Sequence, residues 1–186
     1  AAWAESGLLN ACVPVEFGGG GASFLAKVGI CETIARHCFV SSFALCNILN
    51  GPLRLVRDGS DDQRARFLPG LMNGQTVIAL ALSEPQSGSD FAATATRAER
   101  VDGGWRLSGT KAWVTHAPLA TLGIVYAQTN PDQRGKGIAS FLVDLSQPGC
   151  TFSKPYELET GSIAGTCDMI LKDVFVRDAD VGLGVR

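Results

Sequence analysis

The chain has 186 residues, of which 46% are hydrophobic, and its 16 Lys and Arg against 18 Asp and Glu give a formal net charge of -2. Because this balance offers no basic excess for phosphate backbones, we expect no nucleic-acid partner. No apolar run reaches the roughly 20 residues that cross a bilayer, and no basic-then-apolar signal opens the chain, so we expect neither a transmembrane nor a secreted protein.

The first 74 residues are predicted to form an α-helical domain. Helices are expected over residues 1–9, 24–38, 41–50 and 61–68. Ser23 has the position of a helix cap, and the apolar residues after it recur at spacings of three and four. Ser60 and Gln63 have the spacing of a capping box, and Pro69-Gly70 is expected to end the helix that follows. We expect these helices to pack as a small bundle.

After Gly74 the pattern changes to short strands separated by turns, which predicts an antiparallel β domain over residues 75–180. Seven strands are expected, over residues 76–82, 94–101, 105–107, 122–128, 138–144, 151–155 and 167–176. Strands at this spacing are typical of a sandwich or a barrel. The Gly-rich segment 130–137 lacks the spacing of a phosphate-binding loop and is expected to be a solvated hairpin loop. The predicted fold class is therefore α+β.

Six cysteines are scattered through the chain with no Cys-x-x-Cys pair, at positions 12, 31, 38, 46, 150 and 167. Isolated cysteines among apolar neighbours behave as small core residues. We therefore expect buried free thiols rather than disulfides or ligands of a metal ion.

Two polar clusters carry the chemistry of the chain. The first, residues 81–90, has the sequence ALSEPQSGSD and follows a predicted apolar strand. Such a loop can present backbone N–H groups and serine hydroxyls to a phosphate. The second, residues 109–116, has the sequence GTKAWVTH and places a flat aromatic ring beside further hydroxyls. A phosphate nest together with an aromatic platform suggests a dinucleotide cofactor.

These clusters resemble the central region of FAD-dependent acyl-CoA dehydrogenases. The resemblance rests on Leu82-Ser83-Glu84-Pro85 with Gly88-Ser89-Asp90, and on Gly109-Thr110-Lys111 with Trp113-Val114-Thr115. Shorter matches, among them residues 13–19 and 173–176, extend it over nearly the whole chain. It implies an N-terminal α-helical bundle segment followed by an antiparallel β-barrel domain, with residues 181–186 starting the link to a C-terminal helical domain that lies outside this sequence.

The resemblance also implies which residues hold the FAD. The cofactor-binding residues are then expected to be Leu80, Leu82, Ser83, Gly88, Ser89, Trp113, Val114 and Thr115. Ser83 would donate to the pyrimidine edge of the flavin. Ser89 and the backbone of Gly88 would lie at the pyrophosphate, with Ser89 also close to the acyl-CoA substrate. Within residues 113–115, Trp113 would cover the flavin ring and the next two residues would approach its N5 and O4 side.

Taken alone, the same residues leave plainer alternatives open. Ser83 also fits a strand end, Ser89 a helix cap, and Trp113 a protein core. Glu84 is an acid beside the nest, but relatives usually take their catalytic base from a glutamate beyond the barrel. Glu84 is therefore expected to be structural, and the base of this protein is unknown. Lys111 is expected either to face solvent or to pair with a barrel carboxylate.

The reaction that the resemblance implies is α,β-dehydrogenation of an acyl-CoA thioester. A base removes the α proton while the β hydrogen leaves as hydride to FAD, and donors at the thioester carbonyl make the α proton acidic. The expected partners are an acyl-CoA or other acyl thioester, an electron-transferring flavoprotein as electron acceptor, and identical subunits in a dimer or tetramer. Four alternatives stay open: an acyl-CoA oxidase, a carrier-protein thioester dehydrogenase, a flavin monooxygenase and a non-catalytic subunit.

Some positions depart from the family pattern. Gln86-Ser87 stands where Gly-Ala is common, and residues 159–166 lack the arginine of the usual Arg-Gly-Ser group. We expect residues 1–186 alone to bind FAD weakly or not at all, because relatives complete the site with their C-terminal bundle and a neighbouring subunit. A bacterial protein of this kind would be cytoplasmic, and a eukaryotic one would lie in the mitochondrial matrix.

Overall fold

The computed structural model describes residues 2–158 and 165–182. Its contacts divide the chain into two compact units, and the second begins at Ile78. Two parts of the sequence interpretation lie outside the described residues. These are residues 159–164, which carry most of the departure from the Arg-Gly-Ser group, and residues 183–186 of the predicted link.

The described part of the first unit is helical, as predicted. Its α-helices are α1 Ala2–Glu5, α2 Phe24–Ala35, α3 Phe39–Asp58 and α4 Asp61–Met72. Each lies where the sequence predicts a helix, although the ends differ. The helix predicted over residues 1–9 is shorter, since α1 ends at Glu5 and turns follow it.

The last two helices run further than predicted because each continues through a proline. Pro52 lies inside α3 and Pro69 inside α4. A proline removes one N–H donor and costs a helix interior about 3 kcal/mol, so tertiary packing has to offset it. Both helices are buried around their prolines, α3 at Pro52 itself and at Leu55, α4 at Leu68 and Leu71. The prediction that Pro69-Gly70 ends the helix is therefore wrong.

An apolar core joins the first helices of this unit. It is built on three buried leucines, Leu9, Leu45 and Leu49. Two polar contacts add to it between α2 and α3. Lys27 Nζ donates to Asn50 Oδ1 at 2.5 Å, and Ser42 Oγ donates to Cys31 O at 2.6 Å. Because each bond joins one residue of α2 to one of α3, the pair fixes how the two helices align.

The helix α3 is long and apolar enough, by length and composition alone, to cross a membrane. It has 20 residues and a mean hydropathy of 1.3, and 33% of that stretch is buried. No such helix was predicted; Asn47, Asn50 and Arg54 interrupt its apolar residues. Core helices share this property, and the leucines of α3 at positions 45 and 49 belong to the core of the unit.

The second unit is a seven-stranded sheet, with the strand order β1-β4-β2-β3-β7-β6 and β5 paired to β4. The strands are β1 Ile78–Ala81, β2 Arg97–Val101, β3 Gly104–Val114, β4 Leu122–Gln128, β5 Ile138–Asp144, β6 Cys150–Phe152 and β7 Cys167–Arg177. All seven predicted strands are confirmed. The curled sheet forms a half-barrel, and the α+β class is confirmed with it.

Most neighbouring strands in this sheet are antiparallel, as predicted. The pairs β2–β3, β3–β7, β4–β5 and β6–β7 are antiparallel, whereas β4 is parallel to both β1 and β2. The prediction of an antiparallel domain is wrong for these two pairs. Parallel neighbours need a long connection, and residues 82–121 supply it. The polar segment 130–137 joins β4 to β5 as a largely exposed turn of 3-10 helix, so the predicted hairpin connection is confirmed.

The strand β3 differs most from its prediction, because it has 11 residues rather than three. Its partner β7 is equally long, and bulges absorb the irregular positions of the pair, one of them between Lys111 and Val114. The backbone of Gly109 lies so close to β2 that a Cβ there would stand 2.5 Å from Thr96 Oγ1. The second polar cluster therefore lies largely inside a strand.

All six cysteines are free thiols, as predicted. Only Cys12 and Cys167 are buried, however, and Cys38 is exposed. The expectation of burial is wrong for Cys38 because it lies in the short connection between α2 and α3, and connections run over the surface.

The capping box at the start of α4 generates a prediction for stability. Ser60 Oγ accepts from Gln63 N at 3.1 Å, and Gln63 Oε1 accepts from Ser60 N at 3.0 Å. We expect Ser60→Ala to destabilise the protein by about 1 kcal/mol, because a helix N–H loses its partner. Urea unfolding measures the change. Ser60→Asp keeps an acceptor and serves as the control, and an unchanged midpoint in Ser60→Ala would contradict the prediction.

Candidate functional site

A buried ion pair lies at the base of the loop of residues 81–90. Lys111 Nζ, on β3, lies 2.6 Å from Glu84 Oε1, and the two side chains are 0% and 1% exposed. Lys111 also donates to Leu82 O at 3.2 Å. Burial lowers the pKa of Lys111, and the Glu84 carboxylate opposes that shift. Of the two alternatives for Lys111, the structure thus shows the pair with a barrel carboxylate.

Three further donors complete the surroundings of Glu84. Oε1 accepts from Thr96 N at 3.0 Å, while Oε2 accepts from Ala95 N at 2.7 Å and from Gln86 Nε2 at 2.6 Å. Burial raises the pKa of the Glu84 carboxyl, but hydrogen bonds from Lys111 and Thr96 outweigh it and hold that pKa below its usual value. A carboxylate whose acceptor sites are all directed at donors is a poor proton acceptor.

The loop is closed on itself and tied to β3. Glu84 and Ser87 exchange two backbone hydrogen bonds, of 2.8 and 3.1 Å, and Ala112 N donates to Ser83 O at 2.9 Å. Ser87 Oγ donates to the carbonyl three residues further on at 2.7 Å. Gln86 and Ser87, which depart from the family pattern, therefore both make hydrogen bonds inside the loop.

The outer part of the loop presents donors that the described protein does not use. Gly88 and Ser89 are exposed and Ser83 is half-buried. Within residues 2–158 and 165–182, neither serine hydroxyl has a hydrogen-bond partner, nor do the N–H groups of Gly88 and Ser89. Serine hydroxyls and adjacent N–H groups suit phosphate oxygens and the carbonyl edge of a heteroaromatic ring. This donor set fits a flavin dinucleotide.

A bulge turns Trp113 out of the sheet. Lys111 pairs with Met169 and Val114 with Cys167, so two residues of β3, one of them Trp113, stand opposite a single residue of β7. Trp113 has a φ of 60° and is 61% exposed. A positive φ costs a bulky residue roughly 1–3 kcal/mol, and bulges commonly re-aim side chains near functional sites. Within the described residues, Trp113 is therefore not a core side chain.

The remaining predicted residues offer a ligand different groups. Val114 is fully buried, so only its backbone is available. Thr115 Oγ1 lies 3.3 Å from Thr166 Oγ1. Leu80, on β1, is 49% exposed, and Leu82 is half-buried. All eight predicted residues lie in the second unit, and the hydrogen bond between the loop and Ala112 brings the two clusters together.

Three residues near these clusters were not predicted as part of a site. Tyr156 packs on Trp113 with ring centroids 4.5 Å apart, and its hydroxyl donates to Asp168. These contacts join distant segments, so no local signal could have found them. His116 is buried with a φ of 65°. The left-handed region accepts Asn and His more readily than most residues.

The buried pair generates the next prediction. We expect Lys111→Met to destabilise the protein by about 3–5 kcal/mol at neutral pH, because it leaves the Glu84 carboxylate buried without its counter-ion. Urea unfolding followed by circular dichroism measures the loss. The double variant Lys111→Met/Glu84→Gln should lose less than Lys111→Met alone, since it removes the unpaired charge.

The matched control is an exposed ion pair of the same unit. Arg100 pairs with Asp178, and their side chains are 57% and 49% exposed. Arg100→Met should leave the unfolding midpoint nearly unchanged, because exposed pairs are screened by water and salt. If Lys111→Met behaved like Arg100→Met, the buried pair would not hold the loop.

Comparison with known proteins bears on both units. Residues 1–75 match the model of the acyl-CoA dehydrogenase N-terminal domain, and residues 79–174 match that of the acyl-CoA dehydrogenase middle domain. A mitochondrial 2-methylacyl-CoA dehydrogenase of Solanum tuberosum is 37% identical over 173 residues, which are 90% of this chain and 41% of that protein.

Two solved structures have the same fold over 97% of this chain. A crystal structure of an acyl-CoA dehydrogenase complexed with FAD from Bacillus anthracis has a TM-score of 0.85 at 30% identity, with 31% of its chain covered. A crystal structure of the prolyl acyl carrier protein oxidase AnaB has a TM-score of 0.89 at 25% identity, with 48% covered. The chain thus spans less than half the length of these proteins. By its two domain matches, it belongs to the acyl-CoA dehydrogenase family.

Proposed function

We propose that this chain is the N-terminal and middle part of an FAD-dependent dehydrogenase that oxidises an acyl-CoA thioester between its α and β carbons. Family membership supports this assignment, and so does the dehydrogenase name of the potato relative. The observation that carries it is the pairing, within the middle-domain match, of unused hydroxyl and N–H donors on the 81–90 loop with an exposed Trp113.

FAD is the cofactor. Ser83 would donate a hydrogen bond to its ring, and Ser89 with the N–H groups around Gly88 would hold the pyrophosphate. Trp113 would lie over the ring, Val114 would contribute backbone groups, and Thr115 would contribute a hydroxyl that also contacts Thr166. Leu80 and Leu82 would supply apolar contact. When bound, FAD supplies the acceptor for the hydride that leaves the β carbon.

The residues of this chain orient and shield the reactants rather than move the α proton. Glu84 directly follows Ser83, but its oxygens already accept four hydrogen bonds. Removing a proton from a substrate would require Glu84 to leave Lys111, with which it is buried. We therefore place the general base outside these residues. Ser89 is proposed to contact the acyl-CoA substrate as well as the cofactor.

An oxidase acting on a carrier-protein thioester is the second candidate. This candidate is supported by the structure of a prolyl acyl carrier protein oxidase. That structure superposes on this chain with a TM-score of 0.89. The two functions differ in the final electron acceptor, which is oxygen for an oxidase and an electron-transferring flavoprotein for a dehydrogenase. We propose the flavoprotein as partner, assembly as a dimer or tetramer, and a cytoplasmic or mitochondrial location.

The decisive test uses the full-length protein purified with its flavin. Anaerobic addition of saturated acyl-CoA thioesters should bleach the oxidised flavin spectrum. A panel of straight and branched chains should identify the substrate, and matched carrier-protein thioesters should react more slowly. Stopped-flow mixing of the reduced protein with oxygen then separates the two candidates, since rapid reoxidation would contradict a dehydrogenase. If no thioester reduced the bound flavin, the proposed function would be wrong.

The hydroxyl of Ser83 has a predicted electronic role. Donors on the flavin ring stabilise the negative charge that accompanies reduction. We expect Ser83→Ala to lower the flavin reduction potential and to reduce kcat by about tenfold, the effect of losing one such hydrogen bond. Ser83→Thr keeps the hydroxyl and should stay near wild type. An unchanged potential in Ser83→Ala, measured by dye equilibration, would show that Ser83 does not contact the ring.

A further inference from the structure

The position of the Trp113 indole is not set by burial. The side chain is 61% exposed, and its backbone is held at a φ of 60° by the second bulge of β3. A bulge aims a side chain but leaves its rotation about χ1 and χ2 free. Something else therefore has to hold the ring if its face is to meet a ligand in one orientation.

Tyr156 is placed to hold it. The Tyr156 and Trp113 rings have centroids 4.5 Å apart and planes inclined by 57°. This separation lies at the close end of the range in which aromatic pairs attract each other. The exposed indole thus packs on one side against the ring of Tyr156, which lies in the segment that follows β6.

Tyr156 is itself fixed at both ends. Its backbone N–H donates to Thr166 O at 2.8 Å, and its hydroxyl donates to Asp168 Oδ1. Burial and the hydrogen bond to Asp168 raise the pKa of the Tyr156 phenol. Asp168 is the residue of β7 that stands opposite the Trp113 bulge.

Asp168 is anchored in turn by Ser153, the residue that follows β6. Its N–H donates to Ser153 Oγ at 3.0 Å, and its carbonyl accepts from Ser153 N at 3.0 Å. The chain of contacts from Ser153 through Asp168 and Tyr156 to Trp113 lies wholly within the second unit. These contacts connect the β6–β7 region to Trp113, which is the one aromatic residue among the predicted cofactor residues.

We infer that Tyr156, fixed by Asp168, is a positioning residue that holds the Trp113 indole in the orientation in which it covers the flavin. The inference rests on the proposed function. The plainer alternative is that Tyr156 only packs the end of the β6–β7 hairpin. That alternative predicts a loss of stability in Tyr156 variants without any change at Trp113 or at the flavin.

The first measurement needs no cofactor. In full-length protein labelled with fluorotryptophan, the Trp113 signal is the fluorine resonance that Trp113→Phe removes. Tyr156→Leu should sharpen this resonance, because the indole gains rotational freedom, and Tyr156→Phe should sharpen it less. Tyr126→Phe removes a tyrosine hydroxyl elsewhere in the same unit and should leave it unchanged. An unchanged line width in Tyr156→Leu would overturn the inference.

The second measurement uses the FAD-loaded protein and the visible circular dichroism of its flavin. Tyr156→Leu should change this spectrum in the same direction as Trp113→Phe and weaken FAD binding about two- to tenfold, the range expected for one aromatic contact. Asp168→Asn retains an acceptor for the phenol and should stay nearer wild type than Asp168→Ala. A wild-type spectrum and affinity in Tyr156→Leu would leave Tyr156 a packing residue only.

The two measurements separate the inference from the function on which it rests. If the wild-type protein bound no FAD, the proposed function would fail, while the fluorine resonance would still report whether Tyr156 holds the indole. If FAD bound and both Tyr156 readouts matched wild type, the function would stand and the positioning role would fall.

Discussion

The buried contact between Glu84 and Lys111 is the interaction on which the rest of the site depends. It joins the loop after β1 to the middle of β3, two segments that do not pair as strands. Burying two charges is costly unless each is paired and hydrogen-bonded, and the four hydrogen bonds on Glu84 meet that condition. The ion pair and these hydrogen bonds hold the inner part of the loop. The donors of its outer part, at Gly88 and Ser89, therefore stay available to a ligand.

The same contact argues against Glu84 as a general base. A carboxylate beside a predicted nest invites the role of general base, yet Glu84 has its pKa held down and its lone pairs occupied. The contacts of Glu84 are structural, since its ion pair with Lys111 holds the loop at Ser83 against the end of β3. In a site of this kind the protein supplies orientation and electrostatics while the cofactor supplies the redox chemistry.

Much of the fold followed from local patterns. Capping residues at Ser23 and Ser60, apolar spacing and turn residues predicted four helices and seven strands that the structure contains. The errors fall where packing overrides local preference. Pro69 was expected to end a helix, but α4 buries Leu68 and Leu71 on either side of it. The strand β3 was cut short because its full length depends on β7, which lies more than fifty residues later.

The sequence by itself determined the α+β class and the two polar clusters, because capping, periodicity and motif are properties of neighbouring residues. The eight residues expected to hold a flavin came from the resemblance of those clusters to the acyl-CoA dehydrogenases. Only the tertiary structure decided what those residues do for one another. It paired Lys111 with Glu84, exposed Trp113 through a bulge, and placed Tyr156 against its ring. The bulge at Trp113 depends on the register between β3 and β7, and the other two contacts join segments far apart in the chain, so no local pattern specifies them.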